Sequence, residues 1–246
     1  VNELVSLVIP TLREDKIDAS LSVLGAELAT IGGYEFEIIL VDDSPKPYKR
    51  LMDDATAAFN ARVGPKITAR RVDGPHRGKG AAVRIGTLAS RGAIVFWIDA
   101  DLPVPLQHIA TFLDRFARDE ADVVMAERPM TRNLAQPVRL VASRALFALQ
   151  AIVFQSWRFN DTQCGFKAFR GPLLRRVASR LIVDGGMADI ECLYAALRLG
   201  ARVERVPVTP TEERRESRIN VKRAVLLDPV DLIRIRLRGL GRGYDA

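Results

Sequence analysis

Cysteine and histidine are scarce, with two of each in 246 residues. Cys164 and Cys192 are too few and too far apart for the disulfide framework of a small secreted domain. Two Cys and two His also lack the spacing of a zinc site. Aromatic residues make up 7% of the chain. They are not interleaved with the basic clusters, and no nucleic-acid-binding motif is present, so nucleic acid is not an expected partner. No apolar run approaches the roughly 18 residues that a bilayer-crossing helix needs. The longest candidate, Ala145 to Phe154, is followed by Trp157-Arg158. No secretory leader is legible, so the expected location is the cytoplasm or the cytoplasmic face of a membrane. Internal repeats and low-complexity segments are absent.

What is present is ordinary in amount and unusual in order. Hydrophobic residues make up 48%, enough for a sizeable core. Lys and Arg number 37 against 30 Asp and Glu, a net charge of +7. That excess suits an anionic partner such as a nucleotide or lipid headgroups. Arginine dominates the last part of the chain, from Arg214 to Arg242.

The first half alternates between two periodicities. Short β-rich runs at Leu4–Ile9, Phe36–Val41, Ile67–Val72, Ala93–Ile98 and Asp122–Met125 are separated by helical patterns near Asp15–Ile31, Tyr48–Asn60, Gly80–Ser90 and Leu106–Arg118. Continuous apolar strands between amphipathic helices predict an α/β fold with a mostly parallel sheet sandwiched by helices. The second half predicts a helix over Val138–Phe154, a loop Arg158–Gly165 and a strand Phe166–Phe169. A helix from about Pro172, a helix Ile190–Leu199, a strand Arg202–Val206 and a last helix Val221–Leu237 follow. One domain over 1–246 is expected, with the regular alternation confined to its half 1–127 and a less regular half 128–246.

Ligands on such sheets bind beyond the carboxyl ends of the strands. Those ends carry Pro10-Thr11, Asp42-Asp43, Asp73-Gly74, Asp99-Ala100-Asp101 and Glu127-Arg128. In an extended backbone Asp99 and Asp101 would point the same way and could face one hard divalent ion; two solvated acids at a strand end is the plainer alternative. Thr11 with Glu14 could bind nucleoside or form a capping box for the next helix. His76-Arg77-Gly78-Lys79-Gly80 opens a helix, and cations there oppose the macrodipole unless an anion is near. Arg139 and Ser143 share a helical face and with Arg128 could grip a second phosphate. Asp161-Thr162-Gln163-Cys164-Gly165-Phe166-Lys167 is a polar loop entering a strand, and Asp189 and Glu191 begin a helix. Cys164 reads as a packing residue, having no evident His partner.

In this order the motifs resemble family 2 glycosyltransferases of the GT-A fold, in particular the dolichyl- or polyprenyl-phosphate glucosyl- and mannosyltransferases. The matching pieces run from Val8-Ile9-Pro10-Thr11 and Val41-Asp42-Asp43-Ser44 to Arg77-Gly78-Lys79-Gly80 and Asp99-Ala100-Asp101. Asp161–Lys167, Asp189-Ile190-Glu191 and Ser217-Arg218-Ile219-Asn220-Val221 complete the series. The resemblance implies that Pro10, Thr11, Glu14, Asp42, Arg77, Lys79, Asp99, Asp101 and Arg218 bind the nucleotide sugar. Asp99 and Asp101 would hold magnesium or manganese, and Arg128, Arg139 and Ser143 the acceptor phosphate. Asp161, Gln163 and Lys167 would line the acceptor side, and Asp99, Asp101 and Asp189 would be catalytic. It also implies an inverting transfer of a hexose to polyprenyl or dolichyl phosphate.

Two departures refine this. Leu12-Arg13 replaces the Tyr-Asn pair frequent in mannose-transferring relatives, and Pro103 stands where they often carry a metal-binding Gln. Pro103 thus leaves the metal ligand set short of that pattern, while Arg77–Gly80 and Asp161–Lys167 look closer to the dolichyl-phosphate glucosyltransferase branch, which favours UDP-glucose over GDP-mannose. The basic, amphipathic C-terminal segment is a candidate for peripheral membrane contact, the alternative being that its apolar side packs on the domain. Nothing in the pattern specifies an oligomeric state. A soluble glycosyltransferase with a hydroxyl acceptor and a nucleotide-binding module without turnover are the other readings; the presence of Asp99 and Asp101 disfavours the module.

Overall fold

The computed structural model describes residues 2–129, 151, 161–209 and 228–245. One sheet of seven strands runs through it: β1 (Glu3–Thr11), β2 (Tyr34–Asp42), β3 (Ile67–Asp73), β4 (Ile94–Ile98), β5 (Val123–Glu127), β6 (Phe166–Arg170) and β7 (Val203–Pro207). Their spatial order is β3-β2-β1-β4-β6-β5-β7. Every pairing is parallel except those of β6, which runs antiparallel to both β4 and β5.

The strands read as unbroken apolar runs because both faces are covered. In β1, Val5, Leu7 and Ile9 enter one core, and Val8 enters the other. In β4, Ile94, Phe96 and Ile98 face the first core, Val95 and Trp97 the second. The first core lies under α1 (Ile17–Thr30), α2 (Lys46–Arg62) and α4 (His108–Ala117). Phe96, Phe112 and Phe166 cluster there with ring centroids 5.1 to 6.1 Å apart. Burying each such side chain stabilises the fold by roughly 1.5–3 kcal/mol. The second core lies under α3 (Lys79–Ala89), α5 (Gly171–Ala178), α6 (Ala188–Arg198) and α7 (Asp228–Leu240).

The chain leaves β1 for β2 and β3 on one side, then crosses through α3 to β4 on the other side of β1. That reversal opens a crevice at the carboxyl ends of β1 and β4, which is where an open α/β sheet takes its ligand. The expected strands and helices of the described parts fall within a few residues of those observed. The last helix runs three residues beyond its expected end at Leu237, to Leu240. The expected helix Val138–Phe154, apart from Ala151, the loop from Pro210 to Ser217 and the start of the last helix lie outside the described residues.

Candidate active site

The crevice is floored by the ends of β1, β2 and β4. Asp42 closes β2 and is fully buried. Its Oδ1 accepts the Ser44 amide at 2.9 Å, while Oδ2, also buried, has no hydrogen-bond partner among the described residues. Ser44 Oγ in turn accepts the Arg13 amide at 2.7 Å. Asp43 reaches across to the basic turn: the His76 amide donates to its Oδ1 at 3.1 Å, and His76 Nδ1 donates to its carbonyl at 2.8 Å. Pro10 is half-buried on β1.

Thr11 and Glu14 do not form a capping box. Thr11 still belongs to β1, and its hydroxyl donates to the Val41 carbonyl at 3.3 Å. Residues 12–16 intervene before α1, whose cap residue is Lys16, with no side-chain capping bond. Both Thr11 and Glu14 are buried beside the crevice instead.

Asp99 and Asp101 occupy a turn rather than a strand continuation. β4 ends at Ile98, and the Leu102 amide donates to the Asp99 carbonyl at 3.0 Å. The expectation that extended backbone aligns the two carboxylates therefore fails, but they remain in electrostatic reach. Partial burial first, then the negative charges of Asp99 and Glu14, raise the pKa of Asp101 above the usual aspartate range. Asp99 is held from beneath by Gly165, whose carbonyl accepts the Asp99 amide at 3.1 Å. A Cβ on Gly165 would run into the Asp99 carboxylate.

A chain of alternating charge leads from Asp99 into the core. Lys79 Nζ lies 2.7 Å from Asp99 Oδ1 and 3.6 Å from Asp189 Oδ2. Lys167 Nζ, wholly buried, lies 2.6 Å from Asp189 Oδ1 and donates to the Cys164 carbonyl at 2.5 Å. Burial alone would protonate Asp189, but Lys167 and Lys79 outweigh it and hold its pKa below the usual range. Burial would likewise discharge Lys79, yet Asp189 and Asp99 keep it charged. Lys79 thus begins α3 against the helix dipole because two carboxylates compensate it.

The amides at the start of α3 are less available to an anion than the sequence implies. Gly80 and Ala81 donate to the Asp184 carbonyl at 2.9 and 3.3 Å. Gly78, at φ 120°, and Gly80 are glycines because a Cβ on either would strike the segment 183–188. Arg77 and Arg84 pair with the two oxygens of Asp184 at 2.5 and 2.8 Å.

Just beyond the end of β5, Arg128 and Asp161 form a two-pronged pair, Nε to Oδ2 at 2.6 Å and Nη2 to Oδ1 at 2.7 Å. Asp161 more than offsets the burial that would otherwise lower the Arg128 pKa. Gln163 is half-buried in the same loop. Arg139, Ser143 and Arg218 lie outside the described residues. Gly165 and Asp184 are not among the candidates the sequence offers. Gly165 sits within a quoted motif, but nothing in the sequence marks Asp184.

Among the described residues, no group of three or more His, Cys, Asp or Glu is placed to hold a metal ion. Asp99 is engaged by Lys79, and Asp101 is crowded by like charge. The donor set therefore suits a divalent ion that takes its remaining oxygens from a bound diphosphate.

The sheet and its crevice have the GT-A architecture, and the family and relatives that follow make the chain a nucleotide-sugar-dependent glycosyltransferase. The model for "Glycosyl transferase family 2" matches residues 6–176, and the chain belongs to that family. A dolichyl-phosphate beta-glucosyltransferase of Drosophila melanogaster is 29% identical over 234 residues, covering 84% of this chain and 67% of the relative. One from Dictyostelium discoideum is 25% identical over 257 residues, 97% of this chain and 76% of the relative. Among solved structures, glucosyl-3-phosphoglycerate synthase of Mycobacterium tuberculosis superposes with a TM-score of 0.68 at 20% identity, over 95% of this chain and 80% of that one. The same synthase has been crystallised with Mn2+, UDP and glucosyl-3-phosphoglycerate.

Proposed function

We propose that this glycosyltransferase moves glucose from UDP-glucose to a polyprenyl or dolichyl phosphate, with inversion at the anomeric carbon. The observation that carries the donor reading is Asp42: one carboxylate oxygen is committed to Ser44 and the other is buried without a partner among the described residues. That unpaired oxygen suits the N–H on the pairing edge of uracil. The dolichyl-phosphate beta-glucosyltransferases among the relatives support the same sugar and acceptor. Pro10, Thr11 and Glu14 would complete the nucleoside pocket, and Arg218 would bind the donor diphosphate.

A lipid phosphate oxygen attacks the anomeric carbon as the bond to the nucleoside diphosphate breaks, and the leaving electrons stay on the diphosphate. Lys79, half-buried and held charged, stabilises that growing charge, assisted by Arg77. Asp99 orients Lys79. Asp101 would hold the divalent ion, magnesium or manganese, which when bound supplies further charge compensation to the diphosphate. Arg128 lies on the acceptor side, where with Arg139 and Ser143 it would hold the lipid phosphate. Asp161, Gln163 and Lys167 shape that side.

A phosphate monoester, with a second pKa near ~6, is already ionised at neutral pH and needs no base. Asp189 fits this: pinned between two lysines, it is a poor proton acceptor and a good positioning group. A hydroxyl acceptor would need the base that Asp189 does not supply. Because the acceptor is carried in a bilayer, the enzyme would work at a membrane surface, at its cytoplasmic face. The test is transfer from a panel of UDP- and GDP-sugars, with and without polyprenyl phosphate and with Mn2+ or Mg2+. Metal-dependent transfer from UDP-glucose to the lipid phosphate is expected. No turnover or binding across the panel, or retention of anomeric configuration, overturns the reading.

A further inference from the structure

Nine large apolar side chains are exposed among the described residues, and four of them, Val230, Ile233, Leu237 and Leu240, lie on α7, at 48%, 59%, 62% and 61% exposure. At 3.6 residues per turn these four fall within about 80° of arc. They are not the side of α7 that packs. Leu232 and Ile235 are buried in the second core, and Gly239 abuts the Tyr194 ring of α6, where any Cβ would collide. Arg236 donates to the Tyr194 hydroxyl at 3.2 Å. The tail fastens the same side: Tyr244 is buried and donates to Glu191 at 2.6 Å. The helix is therefore anchored by one face while a continuous apolar stripe remains on another. Val230, Ile233 and Leu237 belong to the apolar side of the last predicted helix, whose Val225 and Leu226 lie outside the described residues; these three are exposed, and a different set does the packing.

The charges around the stripe indicate what would cover it. On the same helical geometry Arg234 and Arg236 fall on its two borders, and the acids of α7, Asp228 and Asp231, fall away from it. Arg234 is exposed and pairs with Asp231 at 3.6 Å. Arg242 is exposed just past the helix end. An apolar stripe between two cationic borders matches an anionic bilayer, with acyl chains for the stripe and headgroups for the arginines. A second copy of the chain would bring the same arginines and another +7 of net charge against them.

We propose that α7 is the membrane-docking element of this protein, lying in the plane of an anionic bilayer with Val230, Ile233, Leu237 and Leu240 inserted. The reading of a lipid-borne acceptor gives the docking its purpose. α6 connects the two, because it carries Asp189 of the site at its start and receives α7 along Tyr194.

The test is flotation of the full chain on vesicles containing no polyprenyl phosphate, of pure phosphatidylcholine or with about a third phosphatidylglycerol. The wild type should float on the anionic vesicles and stay below the neutral ones, and binding should weaken as salt rises. Ile233→Ser with Leu237→Ser should weaken binding at least about tenfold with an unchanged melting temperature, since each loses most of a buried side chain in the bilayer. Arg234→Glu alone should do so by a smaller factor. Val23→Ser with Leu88→Ser, equally exposed but off α7, should not. Failure of the wild type to float, or undiminished flotation of both α7 variants, overturns the proposal. So does a dimer in size-exclusion chromatography that Ile233→Ser and Leu237→Ser abolish, since the stripe would then serve a second copy. Transfer to a short, water-soluble polyprenyl phosphate tests the acceptor reading separately, and the α7 variants should retain it.

Discussion

The two ends of the sheet are built from the same residue types and differ in whether their charges are satisfied. At the end where β1 and β2 begin, buried Glu37 accepts from Ser6 Oγ at 2.6 Å, from the Arg91 amide at 2.6 Å and from Arg91 Nε at 3.2 Å. Farther along the same end, before β5, Asp119 and Asp122 are taken up by Arg170 and Arg202. At the opposite end, the outer acids are likewise engaged: Asp73 pairs with Lys49 and Arg71, and Glu127 with Arg205. The central ones are engaged only in part: Asp99 pairs with Lys79, but Asp42 keeps a buried oxygen without a partner among the described residues, and burial and then the charge of Asp99 push the pKa of Asp101 upward. Buried polar groups are normally paired, so the end where pairing is incomplete is the end built for a ligand.

Substitutions at the two ends should therefore separate activity from stability. Asp99→Asn should lower the transfer rate by about 10²–10³, the scale of losing one electrostatic partner at a reacting centre, while barely moving the melting temperature. More than a tenth of the wild-type rate would break the contrast. Asp189→Asn should destabilise by about 3–5 kcal/mol in urea unfolding, because Lys167 is left buried with its charge uncompensated. It should also flatten the acid limb: the depressed Asp189 pKa contributes stability above the ordinary aspartate range that is lost as pH falls through the folded value. Gly165→Ala should lower the rate by about 10², since the added methyl displaces Asp99 and an ångström of misplacement has an effect of that size. Its KM for the acceptor should change less than its kcat.

The strands around the crevice were legible because β1, β2 and β4 are apolar on both faces, a pattern that few arrangements besides a doubly covered sheet produce. Asp99 was legible as the residue after such a strand. Its hold on Lys79 and the step to Asp189 and Lys167 were not, because they depend on the direction of β6. Running antiparallel to β4, β6 sets Lys167 opposite Trp97 and so on the face covered by α3 and α6, where Asp189 waits. Nothing in Phe166–Phe169 states that direction. The Thr11–Glu14 spacing misled for a related reason: a capping box and two buried residues at a strand end share one pattern, and only the start of α1 at Ile17 distinguishes them. The α7 stripe was visible as apolar spacing, but which face packs is decided by Gly239 against Tyr194.

The smallest effect is the most direct check on the satisfied end. Glu37→Gln keeps the shape of the side chain and removes its charge. Burial opposes ionisation of Glu37, but the bonds from Ser6 and Arg91 outweigh it and leave the pKa below the usual glutamate range. Its contribution is therefore present above the ordinary glutamate range and fades as pH falls through the depressed value. Glu37→Gln should lose about 1–2 kcal/mol at neutral pH by weakening charge-assisted bonds to a buried acceptor. The gap to wild type should close in acid. The rate of transfer and the KM for the nucleotide sugar should not move, because no ligand reaches that end of the sheet. A changed KM would mean that the two ends are coupled through β2, from Glu37 to Asp42, and that the satisfied end does more than hold the strands together.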